Sequence, residues 1–265
     1  GNASSLDYAL DGVTDVVLLA GLVGDPITKK FPEESAAIND VALRRCIDQL
    51  NGRGLERVIF ISTCSHYGLV EDDILVTEES PLLPLSLYAK SKVAAEEYIL
   101  SLKGKVDYHA TILRFATAFG LSPRMRFDLT VNEFVRELCL GRTLVVYDEQ
   151  SWRPYCHVKD FATLIERVLA SPAEDVSFEV FNAGTERNNH TKKEIVDIIL
   201  SRLPDRTVCY SSNGSDLRNY RVDFSKVRNR LNFEPRYSVA DGVEEIIWAV
   251  EEGLLEDVER LPNVY

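Results

Sequence analysis

Residues 57 to 115 form the segment with the clearest structural pattern in this sequence. It opens with the apolar run RVIFIS at Arg57–Ser62 and closes with the apolar run HATILRF at His109–Phe115. Between them lies YAKSKVAAEEYILSL at Tyr88–Leu102, a segment rich in Ala, Glu and Lys that favours a helix. Neither apolar run alternates with polar residues, which is typical of strands covered on both faces. The stretch therefore predicts a strand, a helix and a second, parallel strand, the repeating unit of an α/β sheet.

The same alternation continues on both sides of this unit. Further strands are predicted at Asp15–Ala20, Thr143–Tyr147 and Glu179–Asn182. Further helices are predicted at Ala36–Leu50, Leu129–Leu140, Asp160–Ala170, Lys192–Leu203 and Val239–Glu252. We expect an α/β fold with a doubly wound, mostly parallel sheet. A smaller C-terminal α/β lobe would lie over the carboxyl edge of that sheet, where ligands bind in open α/β folds.

Composition and charge narrow the class of protein. The chain has 265 residues, 45% of them hydrophobic, so it can bury a full core without disulfides or metals. Its 42 acidic and 30 basic residues give a net charge of -12, which argues against a broad basic face for nucleic acid. No apolar run reaches the ~20 residues of a membrane span. The five scattered cysteines contain no CxxC pair, which is typical of reduced thiols in a cytoplasmic protein.

Tyr88 and Lys92 carry the first chemical signal. They stand four residues apart, so on a helix both side chains lie on the same face. A charged Lys near a phenol lowers the pKa of the Tyr, which can then exchange a proton near neutral pH. Thr63 follows the first apolar run, where a hydroxyl can polarise a substrate oxygen. Tyr155 and Lys159 repeat the spacing without such a hydroxyl, so we favour the first pair.

Six short motifs occur in an order that resembles a known family. They are STCSHYG, YAKSK, LRFATAFG, WRPYCHVKD, FNAG and VDFSK, between residues 62 and 226. Together they are similar to the extended short-chain dehydrogenase/reductase family, and more narrowly to its nucleotide-sugar epimerases and dehydratases. The resemblance spans about residues 6 to 250. It implies a Rossmann-like fold, NAD as cofactor and a nucleotide-diphosphate sugar as substrate, with the choice between NAD and NADP left open.

The resemblance also implies roles for individual residues. Tyr88 would be the acid and base, Lys92 would bind the nicotinamide ribose, and Thr63 would hydrogen-bond the sugar oxygen. Further cofactor contacts are implied for Leu19, Ala20, Gly21, Asn39 and Phe115. Further substrate contacts are implied for Thr117, Asn132, Arg153 and Arg218. The two arginines are expected on the diphosphate, because a planar guanidinium can bind phosphate through two hydrogen bonds.

The domain layout and the assembly follow from the same resemblance. Residues 1–119, with parts of 143–184, are expected to form the dinucleotide-binding domain, and residues 120–265 mainly the substrate-binding lobe. The helix at Tyr88–Leu102 is expected to pair with its twofold mate in a homodimer. The small side chains of Ala94 and Ala95 would allow the two helices to approach closely.

One departure from the family pattern concerns the cofactor. The family begins with a strand and a G-x-x-G-x-x-G loop that receives the pyrophosphate at a helix N-terminus, and this sequence has no such motif. The lone Gly52-Arg53-Gly54 follows a predicted helix and is interpreted as a turn. We therefore expect the sequence to be a piece of a longer chain that carries the Gly-rich loop.

A second departure lies directly after Thr63. Members of the family that eliminate water usually have an Asp-Glu pair there, and this chain has Cys64 and Ser65, which cannot replace two carboxyl groups. This favours an epimerase. The alternatives are a dehydratase or keto-reductase on the same scaffold and a non-catalytic relative that binds a nucleotide sugar. Cys64 with His66 as thiolate and base is a weaker alternative, and no metal site is expected because the histidines are widely separated in the sequence.

Overall fold

The computed structural model describes residues 3–71, 74–212, 214 and 216–255. Its strands are β1 (Asp15–Leu18), β2 (Arg57–Thr63), β3 (Leu75–Val76), β4 (His109–Phe115), β5 (Thr117–Phe119), β6 (Leu144–Tyr147), β7 (Trp152–His157), β8 (Glu179–Ala183), β9 (Asn189–Thr191), β10 (Val208–Ser211) and β11 (Arg221–Val222). Its α-helices are α1 (Ala3–Ala9), α2 (Asp25–Lys30), α3 (Pro32–Ala36), α4 (Leu43–Asp48), α5 (Leu87–Ser101), α6 (Thr130–Cys139), α7 (Val158–Ala170), α8 (Ala173–Val176), α9 (Lys192–Leu200), α10 (Ser225–Leu231) and α11 (Val239–Glu251).

Four strands form the central sheet, in the order β1-β2-β4-β8, and all of their pairings are parallel. The register places Thr63 beside Phe115, and Phe115 beside Ala183. The last residues of three neighbouring strands therefore lie side by side at the carboxyl edge of the sheet. This confirms the predicted α/β fold with a parallel sheet.

The sheet is buried on both faces. Val58 and Phe60 of β2 pack into a core shared with α4 and α5. Ile59 and Ile61, which point the other way, pack into a second core shared with α7. Each such side chain contributes roughly 1.5–3 kcal/mol when it is fully buried. Burial on two faces explains why the strand sequence is apolar throughout instead of alternating.

A third core lies outside the sheet. It joins apolar side chains of α6, β6, α9 and α11, including Val135, Val146, Ile199 and Val243. The predicted strand at Thr143–Tyr147 belongs to this core as β6, where it pairs in parallel with β10 and not with the central sheet. The assignment of residues 1–119 with parts of 143–184 to one domain, and of 120–265 mainly to a second lobe, stays a prediction.

The predicted helix at Ala36–Leu50 is present in three pieces. Pro32 starts α3, as its fixed φ angle favours the first helical turn. The chain then winds as a π-helix over Ala37–Ala42 before α4 ends at Asp48. A π-helical segment is rare and often occurs at functional sites. The other predicted strands and helices are found with ends that differ by three residues or fewer.

Short elements escaped the sequence analysis. They include α2, β5, β9 and β11, which have too few residues to develop a hydrophobic period. The interpretation of Gly52-Arg53-Gly54 as a turn is confirmed, since both glycines have positive φ angles, at 77° and 72°. Among the described helices, none is both long and apolar enough to cross a membrane.

Candidate active site at the carboxyl edge of the sheet

Thr63 is the last residue of β2, at the carboxyl edge of the sheet. Its hydroxyl accepts a hydrogen bond from the Ser65 backbone N–H at 3.1 Å and donates to the Ser65 hydroxyl at 2.9 Å. The first bond caps a 3-10 turn over Cys64–Tyr67. The half-buried Thr63 hydroxyl is thus fixed in direction at the edge where ligands bind in open α/β sheets.

Tyr88 and Lys92 lie in the first half of α5. The helix is capped by the Ser86 hydroxyl, which accepts from the Ala89 N–H at 3.1 Å. The Lys92 ammonium lies 5.9 Å from the centre of the Tyr88 ring, in agreement with the shared helix face predicted from their spacing. Tyr88 is half-buried, whereas Lys92 is buried. The phenol is therefore the outer member of the pair and the ammonium the inner one.

Lys92 is held by the sheet. Its Nζ donates a hydrogen bond to the Ile61 carbonyl of β2 at 2.7 Å and lies 4.6 Å from the centre of the Phe60 ring. Burial lowers the pKa of Lys92 to about 8, and the negative charge of Glu96 works in the opposite direction. Lys92 is thus mostly protonated at neutral pH. A cation in this position favours the ionised form of the neighbouring phenol.

A buried polar network lies behind this pair. Arg114 of β4 donates to the Glu96 carboxylate through Nε at 3.1 Å and Nη2 at 2.8 Å. His66 hydrogen-bonds the same carboxylate at 2.9 Å. Burial alone would raise the pKa of Glu96, but the hydrogen bond with His66 and the charge and hydrogen bonds of Arg114 hold it at about 2. Burial lowers the pKa of His66, so Arg114 is the charged partner of Glu96 near neutral pH.

The turn after β1 is tied to the π-helix. Asn39 accepts a hydrogen bond from the Leu22 N–H at 2.7 Å and donates to the Leu22 carbonyl at 2.9 Å. A Cβ on Gly21 would lie 2.9 Å from Asn39 Oδ1, so glycine fits closely at this place. Leu19 and Ala20 are exposed beside it. A cofactor contact is implied for Asn39 by the resemblance, and in the structure Asn39 orders the turn that carries Leu19, Ala20 and Gly21.

Phe115 and Thr117 leave the sheet next to Thr63. Phe115 ends β4 and stacks on Phe161 of α7, with ring centres 3.7 Å apart and planes 4° from parallel. Thr117 begins β5 and pairs with Tyr155 of β7. Both side chains are half-buried. They stay candidates for contact with a ligand at this edge.

Asn132 is buried on α6 and both of its side-chain polar atoms are engaged. Its Oδ1 accepts from the Gly120 N–H at 3.1 Å, and its Nδ2 donates to the Arg126 carbonyl at 3.1 Å. The residue therefore holds the two ends of the loop between β5 and α6. A direct contact of Asn132 with substrate would compete with these bonds.

Arg153 and Arg218 come together although they are far apart in the sequence. Arg153 is buried on β7, and its Nη2 lies 3.1 Å from Asp216 Oδ2. Arg218 donates hydrogen bonds to the same carboxylate from Nε and Nη2, each at 2.8 Å. Partial burial acts in the opposite direction, but the two arginines hold the pKa of Asp216 well below its usual range. Two guanidinium groups that meet at one carboxylate can also bind an anionic ligand together.

Two alternative sites are not supported by the geometry. Tyr155 lies fully buried on β7 while Lys159 lies on α7, so this Tyr–Lys pair does not share a helix face. Cys64 donates to the Arg114 carbonyl at 3.1 Å, and burial raises the pKa of its thiol well above the usual range. A neutral thiol bound to a carbonyl is a poor nucleophile. Within the described residues, no group of three or more potential ligands is placed to hold a metal ion.

Sequence reasoning missed two charged residues of the site. Glu96 stands four residues after Lys92, so the same helical spacing that paired Tyr88 with Lys92 could have found it. Asp216 stands two residues before Arg218, a separation that favours a local carboxylate–guanidinium contact. Its second partner, Arg153, comes from a distant strand and has no local signal.

Comparison with known proteins gives consistent results. A family model described as "NAD dependent epimerase/dehydratase family" matches residues 2–184. An uncharacterized UDP-glucose epimerase of Bacillus subtilis is 28% identical over 211 residues, which is 78% of this chain and 65% of that protein. This chain thus spans just under two thirds of the length of that relative.

Solved structures match over a larger share of the chain. The UDP-glucose 4-epimerase of Thermotoga maritima with UDP-glucose superposes with a TM-score of 0.84 at 21% identity, covering 95% of this chain and 82% of that one. The dTDP-glucose 4,6-dehydratase DesIV of Streptomyces venezuelae, with NAD bound, has a TM-score of 0.84 at 26% identity, covering 97% and 80%. The fold, the ordered motifs and the family match agree, and the chain belongs to the NAD-dependent epimerase/dehydratase family.

Proposed function

We propose that this protein is an NAD-dependent epimerase that acts on a nucleotide-diphosphate sugar through a transient keto-sugar. The observation that carries the proposal is the Tyr88–Lys92 pair, with a buried ammonium 5.9 Å from the phenol ring at the carboxyl edge of the sheet. In this arrangement Tyr88 takes the proton from a sugar hydroxyl, and Lys92 stabilises the phenolate before the transfer. Thr63 donates a hydrogen bond to the same sugar oxygen as its charge changes, once its hydroxyl turns away from the Ser65 hydroxyl to which it donates in the structure.

The residues at the strand ends fit a dinucleotide. Gly21 leaves room that a Cβ would fill, and the exposed residues Leu19 and Ala20 precede it in the same turn. Lys92 would hold the nicotinamide ribose, Asn39 keeps the turn in place, and Phe115 would contact the nicotinamide. When bound, NAD would supply reversible hydride transfer at the sugar carbon, and the residues named above would hold it at the edge of the sheet.

The substrate would span the edge of the sheet and the lobe above it. Arg153 and Arg218 would bind the diphosphate, because their guanidinium groups already meet at one carboxylate oxygen of Asp216. Thr117 would contact the sugar. Asn132 would act on the sugar through the loop that it holds, and directly if its bonds to that loop rearrange. Both solved relatives described above carry a nucleotide-sugar enzyme name, which supports this class of substrate.

Cys64 and Ser65 favour an epimerase over a dehydratase. A dehydratase needs an acid and a base to eliminate water, and these are carboxyl groups in the family pattern. In this chain Cys64 is a buried neutral thiol, and the Ser65 hydroxyl accepts from Thr63. Neither can act as a base near neutral pH. A keto-reductase on the same scaffold is the second candidate, since it needs only Tyr88, Lys92 and Thr63.

A homodimer in the cytoplasm is part of the proposal. The family resemblance supports pairing through α5, although Ala95 packs into the protein's own core and only Ala94, which is half-buried, can lie at a partner helix. The cytoplasmic location is supported by the five cysteines, which carry free thiols.

The proposal is tested by replacing Tyr88 with Phe in the full-length protein. Turnover of UDP- and dTDP-sugars, followed as epimer formation, should fall about a hundredfold or more, since general acid–base groups contribute at least that factor. Tyr98→Phe is the matched control, because Tyr98 lies on the same helix and bonds Asp48 at the surface. Wild-type-like turnover in Tyr88→Phe would overturn the assignment.

The nucleotide released on denaturation separates the candidate reactions. An epimerase returns the hydride to the same substrate and can keep its cofactor, so purified wild-type protein should release NAD in near-stoichiometric amount, and so should Tyr88→Phe. A reductase must exchange the cofactor at every turnover. Protein that releases no nucleotide but oxidises added NADH or NADPH with a keto-sugar would replace the epimerase assignment with the reductase.

A further inference from the structure

The carboxylate of Asp216 lies between two guanidinium groups. Its Oδ2 is 3.1 Å from Arg153 Nη2 and 2.8 Å from Arg218 Nη2. Its Oδ1 accepts from Arg218 Nε at 2.8 Å and from the Arg218 backbone N–H at 3.2 Å. One oxygen therefore joins the two arginines, while the other fixes Arg218 alone. The side chain of Asp216 is 37% exposed, so this contact is open on one side.

We propose that Asp216 is a positioning residue that holds Arg153 and Arg218 together as a preformed site for the diphosphate of the substrate. The inference rests on the proposed function and adds a residue that the sequence motifs did not mark. Without Asp216, two like charges would stand close together and repel before any ligand arrives. With it, both guanidinium groups are ordered in advance, so less freedom is lost when a diphosphate binds.

Charge supports this role. The two arginines and Asp216 carry a net charge of about +1, and Lys192 adds to the positive field. Burial and the charge of Arg153 lower the pKa of Lys192, which places the ammonium within the electrostatic range of the same cluster. A bound diphosphate carries two negative charges, and Asp216 neutralises only one of the positive charges in this cluster. The cluster therefore keeps its attraction for a dianion while Asp216 is in place.

Arg153 gives an independent sign of a ligand. Its side chain is 6% exposed, and its Nη1 donates to the Trp152 carbonyl at 2.6 Å. Its Nη2 is buried and, within the described part of the chain, makes no hydrogen bond of good geometry, although Asp216 lies close. A buried charged donor without an aligned acceptor costs free energy unless something else satisfies it. A phosphate oxygen at this place would do so.

The experiment measures binding, so it does not depend on the reaction. Dissociation constants for UDP, dTDP and inorganic pyrophosphate are measured by calorimetry on the full-length protein. Asp216→Asn should weaken binding of the preferred nucleotide about tenfold, the loss typical of one charge-assisted hydrogen-bond partner. Binding of pyrophosphate should weaken by a similar factor, because the substitution alters the site that binds the phosphate groups. Asp216→Glu should restore part of the affinity. Asp197→Asn, which removes an exposed carboxylate paired with Lys193, is the matched control and should bind normally.

A double-mutant cycle separates positioning from direct contact. If Asp216 acts through the two arginines, Asp216→Asn should cause clearly less than its tenfold loss in an Arg153→Met background and in an Arg218→Met background. A full tenfold loss there, or a loss for UDP with none for pyrophosphate, would mean that Asp216 touches the nucleoside and would overturn the proposal. Tighter binding by Asp216→Asn would overturn it too, since Asp216 would then be a competitor for the arginines. Wild-type protein that binds none of the three ligands would refute the proposed function along with it.

Discussion

The Lys92 ammonium donates a hydrogen bond to the Ile61 carbonyl at 2.7 Å, which fastens α5 to the second strand of the sheet. The bond places a buried cation under the Tyr88 ring and near the carboxyl edge. A Lys so buried is destabilised as a cation, which is why its pKa falls to about 8. The positive charge of Lys92, which the proposed chemistry needs, therefore lowers the free energy of unfolding of the protein.

The charge of Lys92 should limit activity at high pH. With a pKa of about 8, Lys92 loses its proton as the pH rises through that value, and the neutral amine no longer stabilises the Tyr88 phenolate. We expect kcat/KM to fall above about pH 8, because the pH dependence of kcat/KM reports the pKa values of groups in the free enzyme. The measurement is a pH profile between 6 and 10 in buffers of constant ionic strength. A profile that stays flat to pH 10 would contradict the role of the charged form.

Loss of the Lys92 proton at high pH, which should lower activity, should increase the stability of the folded protein. Between the native pKa of about 8 and the unfolded value of 10.5, the unfolded chain binds more protons, so the free energy of unfolding rises with pH. Lys92→Met should therefore be more stable than wild type at pH 7, by about 1–3 kcal/mol, and the difference should shrink as the pH approaches 10.5. Urea unfolding at several pH values checks this. Lys90→Met, an exposed change on the same helix, should show no such pH-dependent difference.

The buried pair of Glu96 and Arg114 should be essential for stability. Removal of one partner leaves an uncompensated buried charge, which costs about 3–5 kcal/mol. We expect Glu96→Gln to lower the urea midpoint accordingly, while Glu97→Gln, an exposed neighbour, changes stability by about 0.5 kcal/mol or less. Equal effects of the two changes would show that the pair contributes little.

Acid should remove the contribution of Glu96. Its native pKa of about 2 lies below the ordinary value of 4.5 for a glutamate, so its stabilising effect is complete above pH 4.5 and is lost as the pH falls toward 2. The wild type should therefore lose stability more steeply than Glu96→Gln over that range. Parallel acid unfolding curves for the two proteins would count against the depressed pKa.

The features that could be predicted from the sequence are those that depend on residues close together in the chain. Burial on both faces leaves a continuous apolar run, so β2 and β4 could be predicted from Arg57–Ser62 and His109–Phe115 almost to the residue. The Tyr88–Lys92 contact follows from helical spacing alone. These features depend only on neighbours in the sequence.

Other features depend on contacts between distant segments. The π-helix at Ala37–Ala42 places Asn39 on Leu22, and no local pattern separates such a winding from an ordinary helix. Asp216 meets Arg153 only because β7 and the chain before β11 are brought together. The strand β6 was predicted correctly as a strand, but its partner β10 is set by the packing of the third core.

The turn at Gly21 gives a prediction about the cofactor. A Cβ there would lie 2.9 Å from Asn39 Oδ1, so Gly21→Ala must displace either the turn or the Asn39 side chain that binds Leu22. We expect purified Gly21→Ala to retain clearly less NAD than wild type. Gly104→Ala is the control, because that glycine also has a positive φ of 74° but has nothing within 4 Å of the added Cβ. Equal NAD content in the two variants would show that the turn is not a cofactor contact.

Variants of Cys64 distinguish the proposed hydride-transfer mechanism from one in which the Cys64 thiol acts as a nucleophile. The Cys64 thiol is buried, donates to the Arg114 carbonyl and has a raised pKa, so it should be neither nucleophilic nor reactive. We expect Cys64→Ala to keep turnover within about threefold of wild type, since it removes no group that touches the reacting atoms. Iodoacetamide should modify the exposed Cys209 first and leave Cys64 protected in the folded protein. Loss of turnover in Cys64→Ala with an unchanged urea midpoint, or early labelling of Cys64 together with inactivation, would return the thiol to the chemistry.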